Sequence, residues 1–195
     1  VEALRSYNEG LQMLRQGNNL EAQKRLQAAT ASDPQFADAF SRLGEAYSAL
    51  GYDTEAEQAS RHAVELSQNL PVAQRYFLEA SLARVTKDNP KAIAAYENLA
   101  NSFPDNLDVL FALGSLHEDA GDLDKARSYY TRVLQTDGKN LDTLLAMGRV
   151  DIKSGNPQQG LDPLDRARHI AIDLDNQEQQ ALILQATGIA YKLMN

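Results

Sequence analysis

Small residues recur along this chain in a frame of 34. The stretch that begins at Leu113 carries Gly114, Gly121, Ala126 and Tyr130, and the stretch that begins at Leu43 carries Gly44, Gly51, Ala56 and Ser60 at the same intervals. Gly10, Gly17, Ala22 and Leu26 stand one frame earlier, and Gly148 and Gly155 one frame later. Self-similarity at a fixed interval of about 20 to 50 residues marks an array of stacked supersecondary units. The frame divides the chain into units at 3–36, 37–70, 71–106, 107–140 and 141–177, with one more helix at 178–194, all within a single array over 1–195.

The frame has a physical reading. Small residues in the eighth slot (Gly10, Gly44, Gly114, Gly148, Gly188) and the twentieth (Ala22, Ala56, Ala92, Ala126) let two antiparallel helices approach closely, with Tyr47, Tyr96 and Tyr130 filling the space beside them. Gly in a helix interior costs about 0.5 to 1 kcal/mol, so it is kept there for contact. The second Gly of each unit (Gly17, Gly51, Gly121, Gly155) suits a left-handed cap, and Asn18, Asp122 and Asn156 follow, placed to cap the next helix. Eleven helices are expected and no strand: 3–16, 19–32, 37–50, 53–67, 71–85, 89–102, 107–120, 122–136, 141–154, 157–175 and 178–194.

Two units depart from the pattern. The third needs two extra residues, expected in the inter-helix turn of ARVTKDNPKA, and places Leu78 in the small slot. In the fifth, Pro157 opens a helix that Pro163 is expected to kink, and RHIAIDLDNQEQQ lengthens it.

The slots carrying Leu, Gly, Tyr or His, Gly and Ala resemble the tetratricopeptide repeat, over 3–195. That resemblance implies an all-α fold, a right-handed superhelix (α-solenoid) of antiparallel helix pairs, with five repeats plus one extra C-terminal helix. It also implies a protein-protein interaction role rather than catalysis: a scaffold that holds a peptide or a partner helix in its concave groove. An alternative is a regulatory or substrate-presenting arm of a larger enzyme, since AIAAYENLANSFPDN and GDLDKARSYYTRVLQ are similar to repeat regions of large bacterial multidomain proteins, some joined to serine/threonine kinase domains.

Composition narrows the partners. With 27 acidic against 19 basic side chains the net charge is -8, which opposes attraction to phosphate backbones, so nucleic acid is not expected. No apolar run reaches the roughly 20 residues of a membrane span. There is no Cys, hence no disulfide or thiolate site, and redox chemistry does not decide between cytoplasm, which is favoured, and periplasm. Beginning at Val1 without an initiator Met or signal-type core, the chain is expected to be a piece of a longer polypeptide.

Motifs for chemistry are absent: no GxSxG, Walker-type, GxGxxG or HExxH pattern occurs. His62, His117 and His169 lie in three different units without helical ligand spacing, and His117, in a slot held elsewhere by Tyr47, is expected to pack. No cofactor and no metal is expected.

The helical wheel separates slots 4, 7, 8 and 11 of each first helix from slots 2, 5, 6, 9 and 13. In tetratricopeptide folds the second set lines the concave surface. The resemblance therefore places Tyr7, Asn8, Leu11, Arg15, Arg42, Glu45, Arg75, Tyr76, Glu79, Phe111, Ser115, Arg149 and Lys153 along one channel. Of these, Tyr7, Asn8, Arg42, Arg75, Tyr76, Phe111 and Arg149 form the expected peptide-binding set, since aromatic and Arg side chains dominate interface energetics and these rings have no core to fill. Arg42 with Glu45 and Arg75 with Glu79 are expected to be able to pair along their own helices. Tyr7 and Leu11 in the first unit and Arg42 in the second depart from the Lys and Asn clamp of chaperone-binding relatives. The final helix, apolar on more than one face, is expected to support weak self-association.

Overall fold

A computed structural model describes residues 1–194; Asn195, the last residue of the expected array, lies outside the described residues. Among the described residues there are eleven α-helices and no strand: α1 (Glu2–Arg15), α2 (Asn19–Ser32), α3 (Ala37–Ala49), α4 (Asp53–Leu66), α5 (Val72–Val85), α6 (Asn89–Ser102), α7 (Leu107–Asp119), α8 (Leu123–Thr136), α9 (Leu141–Lys153), α10 (Pro157–Asp173) and α11 (Gln177–Met194). The chain forms two compact units, Val1–Ser102 with α1 to α6 and a second from Phe103 onward with α7 to α11. In each, every helix packs chiefly on its neighbours in sequence. The fold is the all-α tetratricopeptide arrangement of antiparallel helix pairs.

Close approach within each pair follows from the small slots. A Cβ added at Gly10 would stand 2.7 Å from Leu26 Cγ, and one at Gly148 would stand 2.5 Å from Leu164 Cγ. At Gly114 the obstacle is the ring of Tyr130, which is fully buried. Tyr96 is also buried, whereas Tyr47 is half-buried and its hydroxyl accepts from Gln27 Nε2 at 2.8 Å. Gly17, Gly51, Gly121 and Gly155 all adopt φ of 70 to 79°, the left-handed region expected of them. Asn18 and Asp122 cap the following helices by accepting from Glu21 N and Lys125 N. Asn156 does not cap: Pro157 occupies the first helical position, and the Asn156 amide instead donates to Ser154 O at 3.3 Å.

The third repeat differs from expectation. Its inter-helix turn, residues 86–88, is no longer than turns 16–18 and 50–52, and Lys87 takes the left-handed slot with φ 57°. The additional chain lies upstream instead, where a 3-10 turn at Ser67–Asn69 precedes α5. Counting back from Lys87 as from Gly51, the small slot belongs to Ala80, which is fully buried, and not to Leu78. Every inner-face slot of α5 moves by two residues as a result. In the fifth repeat, α10 opens at Pro157 and runs through Pro163 to Asp173. Asp175, φ 49°, then turns the chain into α11.

Candidate peptide-binding face

In the first unit α1, α3 and α5 are neighbours and present one cluster. Arg42 on α3 donates through Nη1 to both carboxylate oxygens of Glu45, at 3.0 and 2.8 Å. Its guanidinium carbon stands 5.0 Å from the centroid of the Phe77 ring on α5. Ser81 Oγ, also on α5, donates to Glu45 Oε1 at 3.3 Å, and Gln74 Nε2 donates to Asp38 Oδ2 at 2.7 Å. Tyr7 on α1 lies beside Arg42, its ring 4.8 Å from Phe36. Burial raises the Tyr7 hydroxyl above its ordinary value although Arg42 pulls it the other way. Burial also works against the Arg42 charge, but Glu45 outweighs it and holds the guanidinium above its ordinary value. Arg42 is thus a fixed cation with a side chain 28% exposed, stacked on one ring and held by one carboxylate.

In the second unit the charge is organised around Glu118, a buried residue of α7. Its Oε2 accepts from the Tyr130 hydroxyl at 3.0 Å and from Arg149 Nη2 at 3.2 Å, while Oε1 accepts from Arg149 Nε at 3.2 Å and Lys153 Nζ at 2.8 Å. Burial alone would lift this carboxyl, but Arg149 and Lys153 outweigh it and hold it below its ordinary value. Tyr130 is pushed well above its ordinary value, first by burial and then by Glu118. Asp151 pairs with Arg127, yet burial keeps its carboxyl raised.

The expected residues are therefore distributed unevenly. Tyr7 and Arg42 meet, whereas Asn8 is exposed on α1 and its side chain makes no hydrogen bond among the described residues. Arg75 and Tyr76 fall in the slots of buried Ala39 and of Phe40, and the inner-face places given to them belong to Phe77 and to buried Leu78. Arg75 and Glu79 form no ion pair among the described residues, unlike Arg42 and Glu45. Two of the expected rings do have a core to fill. Tyr7 packs on the cluster of Ala22, Leu26, Leu43 and Ala46, and Phe111 packs on that of Ala126, Tyr130 and Met147, with its ring 5.6 Å from Tyr130. Arg149 and Lys153 stand as expected on α9, but both are engaged by Glu118, which the sequence reading did not single out. Phe77 and Ser81 were missed as well. The available signal was complementarity between nearby slots of consecutive repeats, such as Glu118 with cations 31 and 35 residues on and Glu45 with Ser81 36 residues on.

His117 is buried, stacked on Tyr129 at 5.6 Å with Nδ1 3.6 Å from Asp122, in the packing role expected of it. Among the described residues no group of three His, Asp or Glu side chains is arranged to hold a metal ion. No helix among them is long and apolar enough to cross a membrane.

Comparison with known proteins gives a consistent family. A family model described as tetratricopeptide repeat matches residues 7–71 and 72–140, and a second of the same description matches 117–186. Among curated proteins no relative matches. Among solved structures, TTC0263, a thermophilic tetratricopeptide protein of Thermus thermophilus, superposes with a TM-score of 0.77 at 15% identity, covering 94% of this chain and 98% of that one. PilF of Pseudomonas aeruginosa gives 0.64 at 18% identity, covering 94% and 90%. YrrB, described as a tetratricopeptide protein with an unusual peptide-binding site, gives 0.59 at 18% identity, covering 95% and 92%. Identities this low speak to the fold alone, but the family models span most of the sequence and coincide with the observed helix pairs: the chain belongs to the tetratricopeptide repeat family.

Proposed function

We propose that the chain is a non-catalytic protein-interaction scaffold, and that the first helices of its repeats hold a peptide or partner helix. The observation that carries this reading is the Arg42 cluster. An arginine fixed by Glu45, stacked on Phe77 and flanked by Tyr7 loses little side-chain freedom when a ligand arrives, and Arg and aromatic side chains dominate interface energetics. YrrB's described peptide-binding site, on the same fold, supports the assignment. Panning a random displayed-peptide library on the chain tests it. Selected peptides should lose roughly tenfold or more in affinity to Arg42→Ala/Phe77→Ala, the scale of a hot-spot truncation. Arg75→Ala should matter less, and peptides indifferent to the double variant, with the helical spectrum intact, would move the contact elsewhere.

A further inference from the structure

A recess of about 290 Å³ lies in the second unit between α9 and α11. It is near the low end of small-molecule sites, which run from about 300 to 1,000 Å³, and so suits one or two side chains rather than a cofactor. Leu145 and Ile152 form a fixed aliphatic floor, 4% and 8% exposed, while Leu182 and Ile189 on α11 leave 43% and 46% of their surface in water.

One edge of this recess is charged. Arg149 and Lys153 line it, and both are held on the single carboxylate of Glu118. Two cations against one buried anion leave a surplus positive charge on side chains that are 42% and 51% exposed. Arg149 uses Nε and Nη2, and Lys153 makes one hydrogen bond. Arg149 Nη1 and two ammonium hydrogens of Lys153 make no hydrogen bond among the described residues.

We infer that this recess binds a peptide where a bulky aliphatic or aromatic side chain stands directly beside a carboxylate. The side chain covers the exposed aliphatic wall, and the carboxylate takes the unused donors of Arg149 and Lys153. A neutral apolar peptide leaves the surplus charge unpaired, and an acidic peptide without the apolar residue leaves the wall wet. The inference rests on the peptide-binding reading above and specifies the partner's chemistry. A chain terminus ending in an apolar residue and an internal Asp or Glu beside one both present that chemistry.

Backbone amide resonances of the ¹⁵N-labelled chain, titrated with three probes, provide the test. The probes are N-acetylphenylalanine, its neutral amide, and the dipeptide amide acetyl-Glu-Leu-NH₂. The acids should give saturable shifts confined to α9 and α11, with the neutral amide at least about tenfold weaker. Lys153→Gln should abolish that preference, and Ile189→Gln should weaken all three; both side chains are half in water, and circular dichroism checks the fold. Saturation by both acids assigns either carboxylate source, and saturation by one assigns that source. Equal binding of acid and amide overturns the proposal. So do shifts outside α9 and α11, indifference to Ile189→Gln, or sedimentation showing the α11 face covered by a second copy. A library-selected peptide that responds to Arg42→Ala/Phe77→Ala but not to Ile189→Gln would remove the recess and leave the scaffold; the converse would remove the first-unit contact alone.

Discussion

Gly148 and Gly188 occupy the same slot of the repeat and have opposite surroundings. A Cβ at Gly148 would meet Leu164 Cγ at 2.5 Å and Gly160 O at 3.2 Å, whereas one at Gly188 meets nothing within 4 Å. The slot was legible in both cases, and so was the difference: α11 is the one extra helix beyond the five pairs, and among the described residues no second helix stands against Gly188. Gly188→Ala should stabilise by about 0.5 to 1 kcal/mol through the unfolded chain and helix propensity, while Gly148→Ala should destabilise by about 1 to 3 kcal/mol by overpacking, both read from thermal melts. Glu118 shows what slot-reading leaves out, since its partners lie 12, 31 and 35 residues away. Its folded-state carboxyl sits below 4.5, so its stabilising contribution is present above that value and is lost as pH falls through the folded value. Asp151 acts in the opposite sense, because burial raises it above 3.8 and its share improves on acidification. Glu118→Gln should cost about 1 to 3 kcal/mol at neutral pH and flatten the acid limb of a urea-midpoint against pH curve. An acid limb as steep as that of wild type would refute this account of the pocket.

Helix boundaries agree with the sequence reading to within about two residues because each is set locally, by caps such as Asn18 and Asp122 and by left-handed glycines. The third repeat is where that legibility failed. Lys87 holds the position that Gly17, Gly51, Gly121 and Gly155 hold elsewhere, so the turn lost its mark and the additional residues were placed there instead of at the 3-10 turn before α5. An L side chain in the left-handed region costs about 1 to 2 kcal/mol, partly offset by the freedom glycine retains when unfolded. Lys87→Gly should therefore stabilise by about 0.5 to 1 kcal/mol in denaturant titrations. The ion pair with Asp53 is a minor loss, at 3.8 Å between side chains 79% and 71% exposed. The same misplacement explains why Arg75 was chosen over Phe77. A two-residue slip turns a helical side chain by about half a turn, enough to exchange a packing face for an inner one.

At the scale of the molecule, stacking between neighbours in sequence means that stability is built from repeat to repeat rather than around one shared centre. The first unit has buried Leu26, Leu43 and Leu78 in α2, α3 and α5, and the second has Leu113, Tyr130, Leu144, Leu164 and Ile183 in α7 to α11. Each unit also holds a polar cluster made entirely within it, Arg42 with Glu45 and Ser81 in one and Glu118 with Tyr130, Arg149 and Lys153 in the other. Division of the chain after Ser102 should therefore give two fragments that are each helical and melt cooperatively, measured by circular dichroism at 222 nm. Fragment 1–102 should keep the response of selected peptides to Arg42→Ala, and fragment 103–195 should keep the preference for acidic apolar probes. A coil spectrum for either fragment would mean that its helices depend on the missing half, and the local character of the stack would then be wrong for that unit.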